Sequence, residues 1–98
     1  MTIVAPGTNW HNLSAAARQM AQGDPFRASV LYNNAIAECR RTYGPNAEQL
    51  AVLFDELSHV YKSLDRVDDA KSNSRKAAQI RCFNNAYNFG KASSVALF

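Results

Sequence analysis

Midway along the chain, the stretch RTYGPNAEQLA (residues 41–51) closes one helical pattern and opens another. Gly44 lets the backbone leave a helix through a conformation other residues avoid. Pro45 lacks the N–H and clashes with the preceding turn, so no helix runs through it. Arg40 and Arg41 stand where cations suit the carbonyl end of a helix. Asn46 is a good cap for the helix that follows, and Gln49 completes a capping-box-like pair with it. The break divides the chain into two halves, and each half then has to be read for its own elements.

The first half opens with a lead-in, residues 1–8, expected to be extended because Pro6 and Gly7 are breakers. Thr8 or Asn9 is expected to cap a helix whose apolar residues are Trp10, Leu13, Ala17, Met20 and Ala21, one face at helical spacing, and Gly23 ends it. Asp24-Pro25 pairs a good N-cap with the residue best suited to the first helical position. The stripe Ala28, Leu31, Tyr32, Ala35, Ile36 and Cys39 follows with the cleanest helical period in the chain. In the second half, Leu50, Leu53, Phe54, Leu57, Val60, Tyr61 and Leu64 mark a third helix. Asp65 is expected to cap a fourth, with Val67, Ala70, Ala77 and Ala78 on its stripe and polar Ser74 within it. No strand pattern competes. The reading fades after Phe83, so residues 83–98 are expected to form a tail or capping segment, with disorder as the alternative.

Length, at 98 residues, points to one small domain. Eleven basic against eight acidic residues leave a net charge of +3, too weak to imply nucleic acid. The cations Lys71, Arg75, Lys76 and Arg81 follow acids at Asp65, Asp68 and Asp69, the order a helix dipole favours. A diffuse anionic-surface or nucleic-acid patch is the alternative for them. Cys39 and Cys82 lack metal-ligand spacing, so two free thiols in a reducing compartment are expected, with a Cys39–Cys82 disulfide the less favoured reading. Without a signal-peptide pattern or an apolar run long enough to span a bilayer, a cytoplasmic, soluble chain is expected.

The four helices repeat as two units. Trp10, Leu13, Ser14, Ala17 and Met20 superpose on Phe54, Leu57, Ser58, Tyr61 and Leu64 at an offset of 44 residues. In the second helices Ala28, Tyr32 and Ala35 superpose on Ala70, Ser74 and Ala77 at an offset of 42. This pattern resembles the tetratricopeptide repeat (TPR), in which a W-x2-L-G-x2-Y helix precedes an A-x3-F helix and a closing proline. Trp10, Leu13, Ala28, Tyr32 and Pro45 supply the first copy; Leu57, Tyr61, Ala70 and Ala77 supply the second. The linker YGPNAEQLA is similar to that of the longer kinesin-light-chain-type repeats. Ser14 and Ser58 depart from the small glycine, Ala17 from tyrosine and Ser74 from the aromatic residue.

The resemblance implies an all-α fold of two antiparallel helix-turn-helix hairpins (9–43 and 46–82) stacked as a short right-handed solenoid, with 83–98 as tail or cap. It implies a protein-protein interaction module, an adaptor or assembly subunit, that binds a peptide or partner helix in a groove lined by the first helix of each hairpin. The residues it brings to that groove are His11, Asn12, Arg18, Gln19, Asp55, Glu56, His59 and Lys62, with Ala15 and Val52 beside them. An obligate chaperone or stabilising subunit is the alternative role. His11 and His59 occupy matching places, yet a hydrogen bond between His59 and Asp55, four residues apart, is preferred to a metal pair. No nucleophile is partnered with a base and no phosphate loop is present, so neither an enzyme nor a cofactor site is expected. Phe83, Tyr87, Phe89, Leu97 and Phe98 make the tail a candidate oligomer contact, on the same chain, a second copy or a larger assembly; Phe26 and Val30, off the main stripe, mark the open side of the first hairpin.

Overall fold

The computed structural model describes residues 6–96, with side-chain surroundings for residues 10–86. Four helices follow one another: α1 (Pro6–Met20), α2 (Pro25–Tyr43), α3 (Glu48–Ser63) and α4 (Val67–Ala96). Each packs on its sequence neighbours, most extensively α1 on α2 and α3 on α4. Among the described residues there is no strand, and no helix is long and apolar enough to cross a membrane.

The ends of α2 follow from local chemistry. Asp24 caps it, its carboxylate accepting a 3.1 Å bond from the Arg27 N–H, and Pro25 takes the first position. Gly44 stops it with φ 93° and ψ 172°, a combination that essentially only glycine adopts, while its N–H donates to the Arg40 carbonyl at 2.8 Å. Substituting this residue removes the only cheap route out of the helix.

The other ends correct the expectations. Helix α1 begins at Pro6, so residues 6–8 are helical and Thr8 and Asn9 lie inside the helix; proline fits a first turn whose N–H has no partner to lose. Residues 1–5 lie outside the described part. Helix α3 is flanked by Ala47, with no side-chain cap, so the Asn46–Gln49 box does not form. Asn46 lies one residue too early, and its carbonyl instead accepts a 3.1 Å bond from Asn84 of α4.

Asp65 does not cap α4; it ends α3. Its φ is 58°, its N–H donates to Lys62 O at 3.1 Å, and the Arg66 N–H reaches back to Tyr61 O at 2.9 Å. This is the Schellman pattern, with aspartate in the left-handed position that glycine usually fills. Arg66 completes it by laying its guanidinium 4.9 Å from the Tyr61 ring centroid. An L-residue here is strained, so Asp65→Gly is expected to raise stability by about 0.5 kcal/mol. Gly44→Ala is expected to lower it by about 1.5 kcal/mol. Thermal melts of the two variants check this; a melting point lowered by Asp65→Gly would contradict it.

The core gathers around α3, where Leu50, Leu53, Phe54, Leu57 and Val60 are buried against Trp10, Ala17, Tyr32, Ile36 and Cys39. At the 44-residue offset, burial matches: Trp10 with Phe54, Ser14 with Ser58. Both serines are packing residues, Ser14 Oγ donating to His11 O (3.0 Å) and Ser58 Oγ to Ala70 O across the α3–α4 contact (2.8 Å). In the second helices, at the 42-residue offset, Ala28 with Ala70 and Ala35 with Ala77 match in burial, whereas Tyr32 is buried and Ser74 exposed. Helix α4 buries Ala70, Asn73, Ala77 and Ile80, while Val67, Ser74 and Ala78 face out. Asn73 can be buried because its amide donates to Asp69 O at 2.8 Å.

Helix α4 also continues through Ala96, so residues 83–96 extend it rather than forming a separate tail. No proline interrupts them, and one glycine costs a helix only about 1 kcal/mol. Cys39 is buried and Cys82 exposed, and both are free thiols; burial pushes the Cys39 thiol pKa up.

Candidate functional site

Arg18 lies in the last turns of α1 and Glu56 in the middle of α3. Their side chains meet in a two-pronged pair, Arg18 Nε to Glu56 Oε1 at 2.7 Å and the second prong at 3.3 Å. From below, the Tyr32 hydroxyl of α2 donates to the same Oε1 at 2.8 Å. A buried tyrosine needs a partner for its hydroxyl, and Glu56 supplies it. Burial and the bond to Glu56 raise the Tyr32 pKa well above that of a free phenol. Arg18 is held above its already high value, first by its hydrogen bond to Glu56.

These three residues line one side of an open groove of about 580 Å³ between α1 and α3. Ala21, Pro25 and Val60 give it an apolar floor, and Gln22, His59 and Ser63 add polar groups at the rim. The groove's one pair of charges is mutually satisfied, so it offers a ligand apolar area and hydrogen-bonding groups without a fixed net charge.

Of the residues expected to share such a groove, Arg18, Glu56 and His59 do. His11, Asn12, Gln19 and Lys62 are exposed but do not line it. His11 instead stacks on Trp10, ring centroids 3.8 Å apart. Ala15 and Val52 are exposed outside it too. Asp55 turns towards α4, where Arg81 Nη1 lies 2.5 Å from its carboxylate, so the expected His59–Asp55 bond is replaced by an ion pair between helices. Among the described residues no group of three or more His, Cys, Asp or Glu is arranged to hold a metal ion.

Tyr32, Pro25, Gln22, Val60 and Ser63 are groove residues that the sequence reading left out or gave to the core. Tyr32 carried a usable signal, since a tyrosine on a buried stripe demands a polar partner from another element. Within the candidate oligomer contact, Phe83 is half exposed at 54%. The side chains of Tyr87 and Phe89, and residues Leu97 and Phe98, lie outside the described part. Phe26 and Val30 are exposed on α2, as their place off the stripe requires.

Comparisons with known protein families, with curated proteins and with solved structures give no match.

Proposed function

We propose that this chain is a non-catalytic interaction module that takes a peptide or a partner helix into the groove between α1 and α3. In such a cytoplasmic adaptor or assembly subunit the two helix pairs are stacked TPR-like hairpins with α1 and α3 on the concave side. One observation carries it: Ala21, Pro25 and Val60 leave an apolar floor open between the two first helices, ringed by Arg18, Glu56, Gln22 and His59. A site of this composition suits an extended or helical segment that buries an apolar side chain and satisfies its own polar groups at the rim.

Panning a random peptide library on the full chain tests it. Peptides selected on the native protein are expected to bind His59→Trp at least tenfold more weakly, because the larger ring fills the groove from an exposed position. The melting point should stay within a few degrees. Equal affinity for the two proteins would locate binding elsewhere and sink the groove reading.

A further inference from the structure

A second opening lies across α2 and α3 from the first, between α2 and α4. Two cavities of about 380 and 340 Å³ adjoin there and share Arg40, Phe54 and Lys76. Phe54 and Ile80 form an apolar floor, and Phe83, 54% exposed, stands at one end. Among the described residues, Arg18, Arg27, Arg41, Arg66 and Arg81 are paired with acids, while Arg40, Lys62, Lys71, Arg75 and Lys76 have no acidic side chain within 4 Å; of these five, Arg40 and Lys76 line this opening. The acid that lines this opening, Asp69, is already bonded to Arg66 at 2.7 Å. The opening therefore carries two uncompensated positive charges over an apolar floor, unlike the internally neutralised groove between α1 and α3.

We propose that the α2–α4 groove is a second docking surface, and that its occupant is an acidic segment of a partner protein with at least one apolar side chain. Carboxylates of the segment pair with Arg40 and Lys76, and the apolar side chain seats on Ile80 and Phe83. Charge complementarity selects this occupant over a nucleic acid. A single strand asks for a run of cations and open aromatic faces. Here there are two cations, and the Phe54 ring is buried with Lys76 Nζ 5.6 Å from its centroid, leaving Phe83 alone for stacking.

The test uses the full chain and a fluorescent peptide of about ten residues in which Asp-Glu pairs flank Leu-Phe. The comparison probes are the same peptide with Asn and Gln in place of the acids, and oligodeoxythymidine. At low salt the acidic peptide is expected to bind, and the double variant R40E/K76E to weaken it at least tenfold. R40Q/K76Q should fall between, and R18A should leave the affinity within about twofold. All three positions of change, Arg18, Arg40 and Lys76, are exposed, and circular dichroism of each variant checks that the helices remain. No binding of the acidic peptide at millimolar concentration, or equal binding to R40E/K76E, would overturn the proposal. Tighter binding of the oligonucleotide would overturn it in favour of a nucleic-acid site. Loss in R18A but not in R40E/K76E would assign the peptide to the α1–α3 groove, so this proposal can fail while the first stands.

Discussion

Leu57→Ala is expected to lower the unfolding free energy by about 3 to 4 kcal/mol. Leu57 is 1% exposed, in the middle of α3, the helix that packs on both α2 and α4. Truncation removes a buried isobutyl group and leaves a cavity that fixed helices on two sides cannot close, the setting in which such changes cost most. A chain of this size has little to spare, since single domains are stable by about 5 to 15 kcal/mol. The melting point should fall by more than 10 °C. Urea unfolding followed at 222 nm measures the loss directly, and the slope should match that of the native chain. A change below about 1 kcal/mol would mean that α3 is not the centre of the core. Val52→Ala, on the exposed side of the same helix, serves as the contrast and should be near neutral.

What could be read beforehand was what neighbouring residues decide among themselves. Asp24-Pro25 and Arg40-Arg41 followed by Gly44 fix both ends of α2 through caps and allowed dihedrals, with no help from the rest of the fold. The stripe of α3 stands out because leucine, phenylalanine and valine contrast with the acids and amides between them. Helix α4 offers no such contrast. Its inner face is Ala70, Asn73, Ala77 and Ile80, its outer face includes Val67, Ser74 and Ala78, and hydropathy separates the two poorly. The choice is made by the neighbour: Ser58 Oγ bonds to Ala70 O, drawing that side of α4 against α3.

Residues 83–96 misled for a related reason, because asparagine, glycine and serine weaken a helix without stopping it. Asp65 misled because aspartate is both a cap and the residue that, after glycine and asparagine, best tolerates a positive φ.

The site was harder still. Asp55 and Glu56 are adjacent, yet about 100° of helical rotation sends one to Arg81 and the other to Arg18. Arg18 and Glu56 are 38 residues apart, and they meet because α2 packs against both α1 and α3.

Glu56→Ala should therefore cost more than any exposed charge on this chain. The carboxylate serves two partners with different stakes. Arg18 is half exposed, and its pair with Glu56 contributes less than about 1 kcal/mol. Tyr32 is 2% exposed, and stranding its hydroxyl costs about 1 to 3 kcal/mol. Together they predict a loss of about 2 to 3 kcal/mol for Glu56→Ala, and less than 1 kcal/mol for Arg18→Ala. Glu56→Gln, which keeps an oxygen to accept from Tyr32, should recover about half. Equal losses for the alanine and glutamine variants would mean that the ion pair, not the tyrosine, is what matters.

The burial of Tyr32, together with its bond to Glu56, predicts a pH dependence whose sign is fixed. The folded chain holds the Tyr32 proton more tightly than the unfolded chain does. Up to about pH 10 both states keep it, and the contribution is fully present. Above that the unfolded state loses the proton while the folded state does not, and stability falls by up to about 1.4 kcal/mol per pH unit until the folded phenol itself ionises. Tyr32→Phe removes this loss, so its stability curve should run parallel to the native one below pH 10 and flatter above it. The buried Cys39 thiol, also shifted up, produces a loss of the same sign beginning nearer pH 9 in both proteins, so the difference between the two curves isolates the tyrosine. Parallel curves throughout the alkaline range would show that the Tyr32 proton is no better held in the fold than in water, against what its burial and its bond to Glu56 require.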